Sequence, residues 1–120
     1  MENSIRLRRL NNSLMLDLIG DDINTIEFDI HLASIKKLKK FQKLYINIEN
    51  LNNIDNNIIG MFKKMKAVLK EKHVCFVNVN AINNSILNLF EIDKLFQLYM
   101  NKHDAFEGKK PIINRNFKVL

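Results

Sequence analysis

The first twenty residues contain two short runs in which apolar and polar side chains alternate. In residues 4–10, Ile5 and Leu7 alternate with Arg6 and Arg8, and residues 13–19 have leucine at every second position. A period of two is typical of a strand with one face in water. Asn11 and Asn12 lie between the runs and favour a tight turn, because asparagine tolerates left-handed backbone. The pattern predicts an antiparallel β-hairpin that ends at Gly20.

Residues 24–41 have the spacing of a helix. Asn24, followed by Glu27 three positions later, forms a capping-box arrangement, and the lysines gather toward the end, where cations suit the helix dipole. The helix is predicted to turn one stripe toward the core, made of positions three or four apart: Ile23, Ile26, Ile30, Ala33 and Lys37, extended by Leu38 and Phe41.

The rest of the chain alternates between strands and helices. Apolar runs predict strands at 44–48, 74–79 and 95–100. Three helices are predicted between and after these strands: one that opens at 54–57, a short one capped by Asn83 or Asn84, and one capped by Asn101 that runs to Glu107. The order ββαβαβαβα predicts a single α/β domain over residues 1–107, with a mixed, mostly parallel sheet of about five strands and about four helices. Residues 108–120 form a basic tail, whose apolar residues favour packing on the domain or on a second copy.

Length and composition fit one cytoplasmic domain. The chain has 120 residues and a net charge of +6, and its apolar runs are far shorter than the ~20 residues of a membrane-spanning helix. Its N-terminus lacks the apolar stretch of a signal peptide, and Cys75 has no second cysteine to pair with. The charge is better explained by solubility than by a polyanion site, so nucleic acid is not favoured as a partner, although the basic tail keeps that alternative open.

The sequence offers no catalytic or metal-binding constellation. Its histidines, His31, His73 and His103, stand far apart and have no neighbours at ligand spacing. Cys75 lies in an apolar strand, where an inert core residue is expected rather than a nucleophile. The three glycines cannot build the usual phosphate or dinucleotide loops. We therefore expect no enzyme activity, no cofactor and no metal.

Three segments in this order resemble the STAS domain family of bacterial anti-sigma factor antagonists. The first is the strand at 44–48 with the following Asp55-Asn56-Asn57-Ile58-Ile59-Gly60, which is similar to the family's Asp-Ser-Ser-Gly-Leu-Gly motif. The second is the strand at 72–79. The third is 89–99, continued by 104–106, which is similar to the family's Leu-Gly-Leu-Asp-Lys-Leu-Phe stretch and closing helix. The resemblance spans nearly the whole domain and implies the family's fold.

The resemblance also implies a site for a protein partner at the start of the second helix. In the family, a partner kinase phosphorylates the second serine of the motif. Asn57 occupies that phospho-acceptor position, and it has neither a hydroxyl to modify nor the negative charge of phosphoserine. Ile58 replaces a glycine, where a large side chain is expected to alter the partner's approach. The residues implied for partner binding are Asn53, Asp55, Asn56, Asn57, Ile58, Ile59, Gly60 and Phe62. Asp55 is equally expected to act as a helix cap.

The resemblance therefore implies a non-enzymatic regulator of transcription that works by partner switching without phosphorylation at the usual site. Its partner would be an anti-sigma factor or another kinase-like ATPase. A subunit that docks on the ATPase of a phospholipid-transport ABC system is the alternative, since such subunits also need no phosphorylatable serine. No membrane insertion is expected, and a homodimer stays open.

Overall fold

The opening hairpin forms as its alternating pattern predicts. The structure, a computed structural model, describes residues 3–38, 40–70 and 72–114. Strand β1, Ser4–Leu10, pairs antiparallel with β2, Ser13–Ile19. Asn11 takes a positive φ of 51° in the turn between them, as the preference of asparagine for left-handed backbone leads one to expect.

The first helix, α1, spans Thr25–Lys37, and the predicted core stripe is wrong for the positions inside the helix. The flanking members of that stripe are correct, since Ile23 is buried and Leu38 and Phe41 pack against the core. Asn24 caps the helix as predicted, since its side chain accepts a hydrogen bond from the Glu27 amide. The helix buries Phe28, Leu32 and Ile35, whereas Ile26 and Ile30 are 73 % and 62 % exposed. Both sets repeat at helical spacing, and the bulkier one, which includes Phe28, fills the core.

The remaining elements follow in the predicted order. Strand β3, Leu44–Asn47, leads to helix α2, Asn56–Val68, and strand β4, Val74–Val77, leads to helix α3, Ala81–Leu89. A short 3₁₀ helix, Ile92–Lys94, precedes strand β5, Gln97–Leu98, and helix α4, Lys102–Phe106. The predicted strand at 95–100 is thus only two residues long. Helix α3 begins earlier than predicted, because Asn80 rather than Asn83 or Asn84 is its cap.

The five strands form one mixed sheet in the order β1-β2-β3-β4-β5, and every pair after the hairpin is parallel. This is the α/β architecture that the element order predicts. Right-handed crossovers that all step in one direction place α1, α2 and α3 on the same face of the sheet. The main core on that face includes Phe28, Phe62 and Leu87. Helix α4 covers the opposite face, where Ala105 packs with Tyr45 and Cys75.

The first part of the tail packs on the domain, as predicted. The Ile112 amide donates to the Leu98 carbonyl over 2.7 Å, and the Asn114 side chain exchanges hydrogen bonds with Asn84. The end of the tail, 115–120, lies outside the described residues.

Candidate functional site

Helix α2 begins at the carboxyl edge of the sheet with Asp55 as its cap. Asp55 has extended backbone, and its Oδ1 accepts a hydrogen bond from the Ile58 amide over 2.9 Å. The Asp55 carbonyl starts the helical ladder by accepting from the Ile59 amide over 3.0 Å. A carboxylate in this position satisfies one of the amides that every helix leaves unpaired at its start. The capping role expected of Asp55 is therefore confirmed.

The segment between β3 and α2 is anchored by three buried side chains, Ile48, Leu51 and Ile54. It is also tied to the end of the hairpin, since Gly20 donates to the Asn50 carbonyl and accepts from the Asn52 amide, both over 2.9 Å. Gly20 has a φ of +112°, and an added Cβ would clash with the Asn3 side chain. The segment therefore reaches α2 with a fixed path while its polar residues face water.

The residues predicted to bind a partner divide into two groups. Asn53, Asp55, Asn56, Asn57 and Gly60 are exposed. The other three lie in the core: Ile58 is 0 %, Ile59 is 4 % and Phe62 is 0 % exposed. The expectation that Ile58 presents a large side chain to an approaching partner is wrong, because this side chain turns inward. Only the exposed group is accessible on the folded domain.

The outer face of α2 is small and neutral near its start and basic farther along. Asn56, Gly60, Lys63 and Ala67 are exposed and fall on one side of the helix. A Cβ placed on Gly60 would meet no atom within 4 Å, so neither crowding nor a positive φ requires glycine there. We name the exposed group Asn53, Asp55, Asn56, Asn57 and Gly60 the α2 start surface.

Two exposed lysines of α2 contact neighbouring elements. Lys64 forms an ion pair with Asp29 of α1, with 2.9 Å between Nζ and Oδ1. The Lys66 Nζ lies 5.6 Å from the centre of the Phe96 ring, within the range of a cation–π contact. These contacts tie α2 to its neighbours on both sides.

A row of polar side chains that the sequence patterns did not predict crosses the sheet on the face that α4 covers. Asp17 is only 5 % exposed, and it accepts from Arg8 over 2.6 and 3.0 Å and from Asn47 over 2.8 Å. The Asn47 side chain accepts in turn from Asn78 over 2.9 Å. Asn78 has a φ of 58°, and its Oδ1 accepts from the Lys102 amide at the start of α4. The polar row therefore links β1 to α4.

This row also reaches the segment that precedes α2, because the Asn47 Oδ1 accepts from the Glu49 amide over 3.1 Å. Hydrogen bonding to Asp17 raises the pKa of Arg8 above its ordinary value, so Arg8 stays charged. The signal in the sequence was a single aspartate among the alternating leucines of residues 13–19. A carboxylate at a buried position of a strand needs a cation nearby.

Cys75 is a poor nucleophile in the folded domain. Burial raises the pKa of the Cys75 thiol to about 12, which keeps it protonated at neutral pH. Across residues 3–38, 40–70 and 72–114, no group of three or more histidine, cysteine or acidic side chains could hold a metal ion. Within the same ranges, no helix is both long and apolar enough to cross a membrane.

No protein-family profile and no curated protein matches this sequence. Solved structures match it over most of its length. An anti-sigma factor antagonist from Mycobacterium paratuberculosis has a TM-score of 0.77 at 14 % identity, with 89 % of this chain and 93 % of that chain covered. An anti-sigma-factor antagonist (STAS) domain protein from Planctomyces limnophilus has a TM-score of 0.70 at 13 % identity, with 90 % and 98 % covered. The chain has the STAS fold.

The unphosphorylated form of the anti-sigma factor antagonist SpoIIAA shares the STAS fold as well, with a TM-score of 0.65 at 13 % identity over 92 % of this chain and 100 % of that one. Sequence identities as low as these show a similarity of fold alone. In this STAS fold, the α2 start surface comes directly after the central strand β3, and its residues are held by the Asp55 cap and the buried anchors of the preceding segment.

Proposed function

We propose that this protein is a non-enzymatic regulatory module that binds another protein through the α2 start surface, in the manner of an anti-sigma factor antagonist. The observation that supports this most is Gly60, which lies on that surface and inside a helix. Glycine costs about 0.5 to 1 kcal/mol relative to alanine in a helix interior, and the free space around Gly60 gives no internal reason for this cost. Glycine there lets the main chain of a partner approach α2 closely.

The chemistry of Asn57 supports a surface that is able to bind its partner at all times. Asn57 is exposed and uncharged, and the first turn of α2 contains no acidic side chain. A kinase would find no hydroxyl at either Asn56 or Asn57. Control of the interaction then lies with the partner or with the amounts of the two proteins, and partner switching at this site proceeds without phosphate.

An apolar side chain at the same edge of the sheet offers an anchor for the partner. Helix α3 also begins at the carboxyl edge of the sheet, and Ile82 in its first turn is 74 % exposed. Buried apolar anchors supply much of the free energy in protein interfaces, whereas polar residues around them fix the orientation. A partner that covers the beginnings of both helices would bury this side chain.

Site-specific crosslinking in the native cell tests this proposal. A photo-reactive residue at position 57 is expected to trap one main protein, whereas the same residue at Lys109, which is exposed in the tail, should not trap it. An Asn56→Glu change in the same chain should abolish the capture by placing a negative charge on the surface beside the photo-reactive residue. The fold should tolerate this change, because Asn56 is exposed and an acid suits the first turn of a helix. Capture that is equal from both positions, or that survives Asn56→Glu, contradicts the proposal.

The class of the captured protein separates the two candidate functions. A kinase-like ATPase or anti-sigma factor supports a role in transcription in the cytoplasm. The ATPase of a phospholipid-transport ABC system supports the alternative, which the hydroxyl-free pair Asn56 and Asn57 fits equally well, since permanent docking needs no phosphate switch.

A further inference from the structure

Helix α1 carries two apolar stripes on opposite sides. At 3.6 residues per turn, Ile26, Ile30 and Ala33 fall within about 60° of each other on the helix surface. The stripe that enters the core, Phe28, Leu32 and Ile35, lies about 180° away on the same count. The first three residues are exposed, and we name them the outer stripe.

The domain itself gives the outer stripe no role. Ile26 and Ile30 are among the most exposed large apolar side chains of the described residues, at 73 % and 62 %. Single exposed apolar residues are ordinary, but two isoleucines one turn apart form a continuous ridge on the helix. A helix that is apolar on two sides is normally covered on both.

The charges around the outer stripe have opposite signs at its two ends. Glu27 and Asp29 lie beside its beginning, whereas Lys36 and Lys37 lie at its end. Glu27, Lys36 and Lys37 form no ion pair with any other described residue. Asp29 uses its Oδ1 for Lys64. The outer stripe is therefore apolar along its length and bipolar in charge, with acidic residues at one end and basic residues at the other.

We propose that the outer stripe packs antiparallel against the same stripe of a second copy of this chain, around a twofold axis. An antiparallel arrangement brings the acidic beginning of each helix to the basic end of the other, so that one surface is complementary to itself. An anionic lipid surface would attract the lysines but repel Glu27 and Asp29 at the other end. The inference goes beyond the proposed function and does not depend on it.

The bipolar pattern fixes the register of this pair. With the axis midway between residues 30 and 33, Ile30 packs on Ala33 of the second copy, and Lys37 reaches Glu27 of the second copy. The contact is short, about 16 Å along the helix from residue 26 to residue 37. We therefore expect a weak dimer that depends on concentration.

Cysteine crosslinking tests the register. Cys75 is buried and does not compete, so an Ala33→Cys variant should form a disulfide-linked dimer under mild oxidation. Ile26→Cys should not, because the two copies of residue 26 would lie about 16 Å apart along the axis, and a disulfide needs Cα atoms within about 7 Å. Equal crosslinking at both positions indicates a parallel pair and overturns the proposal, as does crosslinking at neither.

Sedimentation equilibrium of the full chain tests the contact without any added cysteine. The unmodified protein should dimerise as its concentration enters the high micromolar range, and Ile30→Lys should weaken the dimer by about tenfold or more. Leu89→Lys on α3 is the matched control, since Leu89 is as exposed as Ile26, and it should leave dimerisation unchanged. A monomer at all concentrations, or equal effects of the two variants, overturns the proposal. Flotation of the monomer with phosphatidylglycerol vesicles that is lost in Ile30→Ser, a change that removes the apolar side chain without adding a charge, would assign the stripe to lipid instead.

Discussion

Gly60 is the residue at which the demands of stability and of binding differ most clearly. Its position in the interior of α2 favours alanine by about 1 kcal/mol, and the space around it would accept a side chain without any rearrangement. Asp55 shows the opposite situation, because its exposed carboxylate has a defined structural task as the cap of α2. Exposure alone therefore does not identify the binding residues.

Replacing Gly60 with alanine should raise the free energy of unfolding by about 0.5 to 1 kcal/mol, since alanine lowers the backbone entropy of the unfolded chain and suits the helix. Urea denaturation followed by circular dichroism measures this. Ala67→Gly, at an exposed position of the same helix, is the matched reverse change and should lower stability by a similar amount. A loss of stability in Gly60→Ala would mean that the domain itself requires glycine there.

The Cys75 thiol should be inert in the native protein and reactive only after unfolding. Burial raises its pKa from near 9 to about 12, so the folded state retains the proton at a pH where the unfolded chain has lost it. The corresponding stability is fully present below about pH 9 and is lost as the pH rises toward 12. Titration with a disulfide reagent at pH 8 checks this: we expect no reaction in buffer and one equivalent in urea. Rapid reaction of the native protein would contradict the described burial.

At the scale of the elements, the sequence patterns predicted correctly the features that depend only on residues close together in the chain. The hairpin and the Asn24 and Asp55 caps follow from alternation and capping chemistry. The core stripe of α1 could not be chosen in this way, because both of its apolar stripes have helical spacing. The α3 cap was ambiguous for a similar reason, since asparagines occur both just before that helix and inside its first turn. The polar row depends on strands brought together from distant parts of the chain, which local patterns do not show.

The two stripes of α1 should differ sharply in their effect on stability. Leu32→Ala removes a side chain that is 2 % exposed and should lower the free energy of unfolding by about 2 to 4 kcal/mol through the lost burial and the cavity. Ile26→Ser and Ile30→Ser change exposed positions and should each stay within about 0.5 kcal/mol. Chemical denaturation of dilute protein gives all three values. A large loss from either serine variant would show that the domain uses the outer stripe internally.

Substitutions of Arg8 and Asp17 should show strongly non-additive effects on the free energy of unfolding. Arg8→Met leaves a carboxylate that is buried in the sheet without its cation, and it should cost about 1 to 3 kcal/mol, less than a fully buried pair because the Arg8 side chain is 41 % exposed. Asp17→Leu in the Arg8→Met background should recover much of this loss, because no unpaired charge remains. A double-mutant cycle of unfolding free energies tests this. Additive losses would mean that the two side chains act independently.

At the scale of the whole molecule, the two faces of the sheet carry different features. One face bears α1, α2 and α3, whose outward sides offer the α2 start surface and the outer stripe, and the other face is fixed by α4 and the polar row. The sequence predicted the place of the α2 start surface through its resemblance to the STAS family, together with three residues that the structure buries. Inward and outward positions in the first turn of a helix become distinct only when the packing direction of the helix is known.

A partner protein that approaches α2 closely at Gly60 should bind a Gly60→Gln variant less tightly, and the decisive measurement is the affinity of this variant for the partner captured at position 57. Calorimetric titration with the purified proteins should show binding weakened by about tenfold or more, although the variant is at least as stable as the original because glutamine is a good helix former. Lys109→Gln, in the tail, should bind normally. Unchanged affinity in Gly60→Gln would contradict the account.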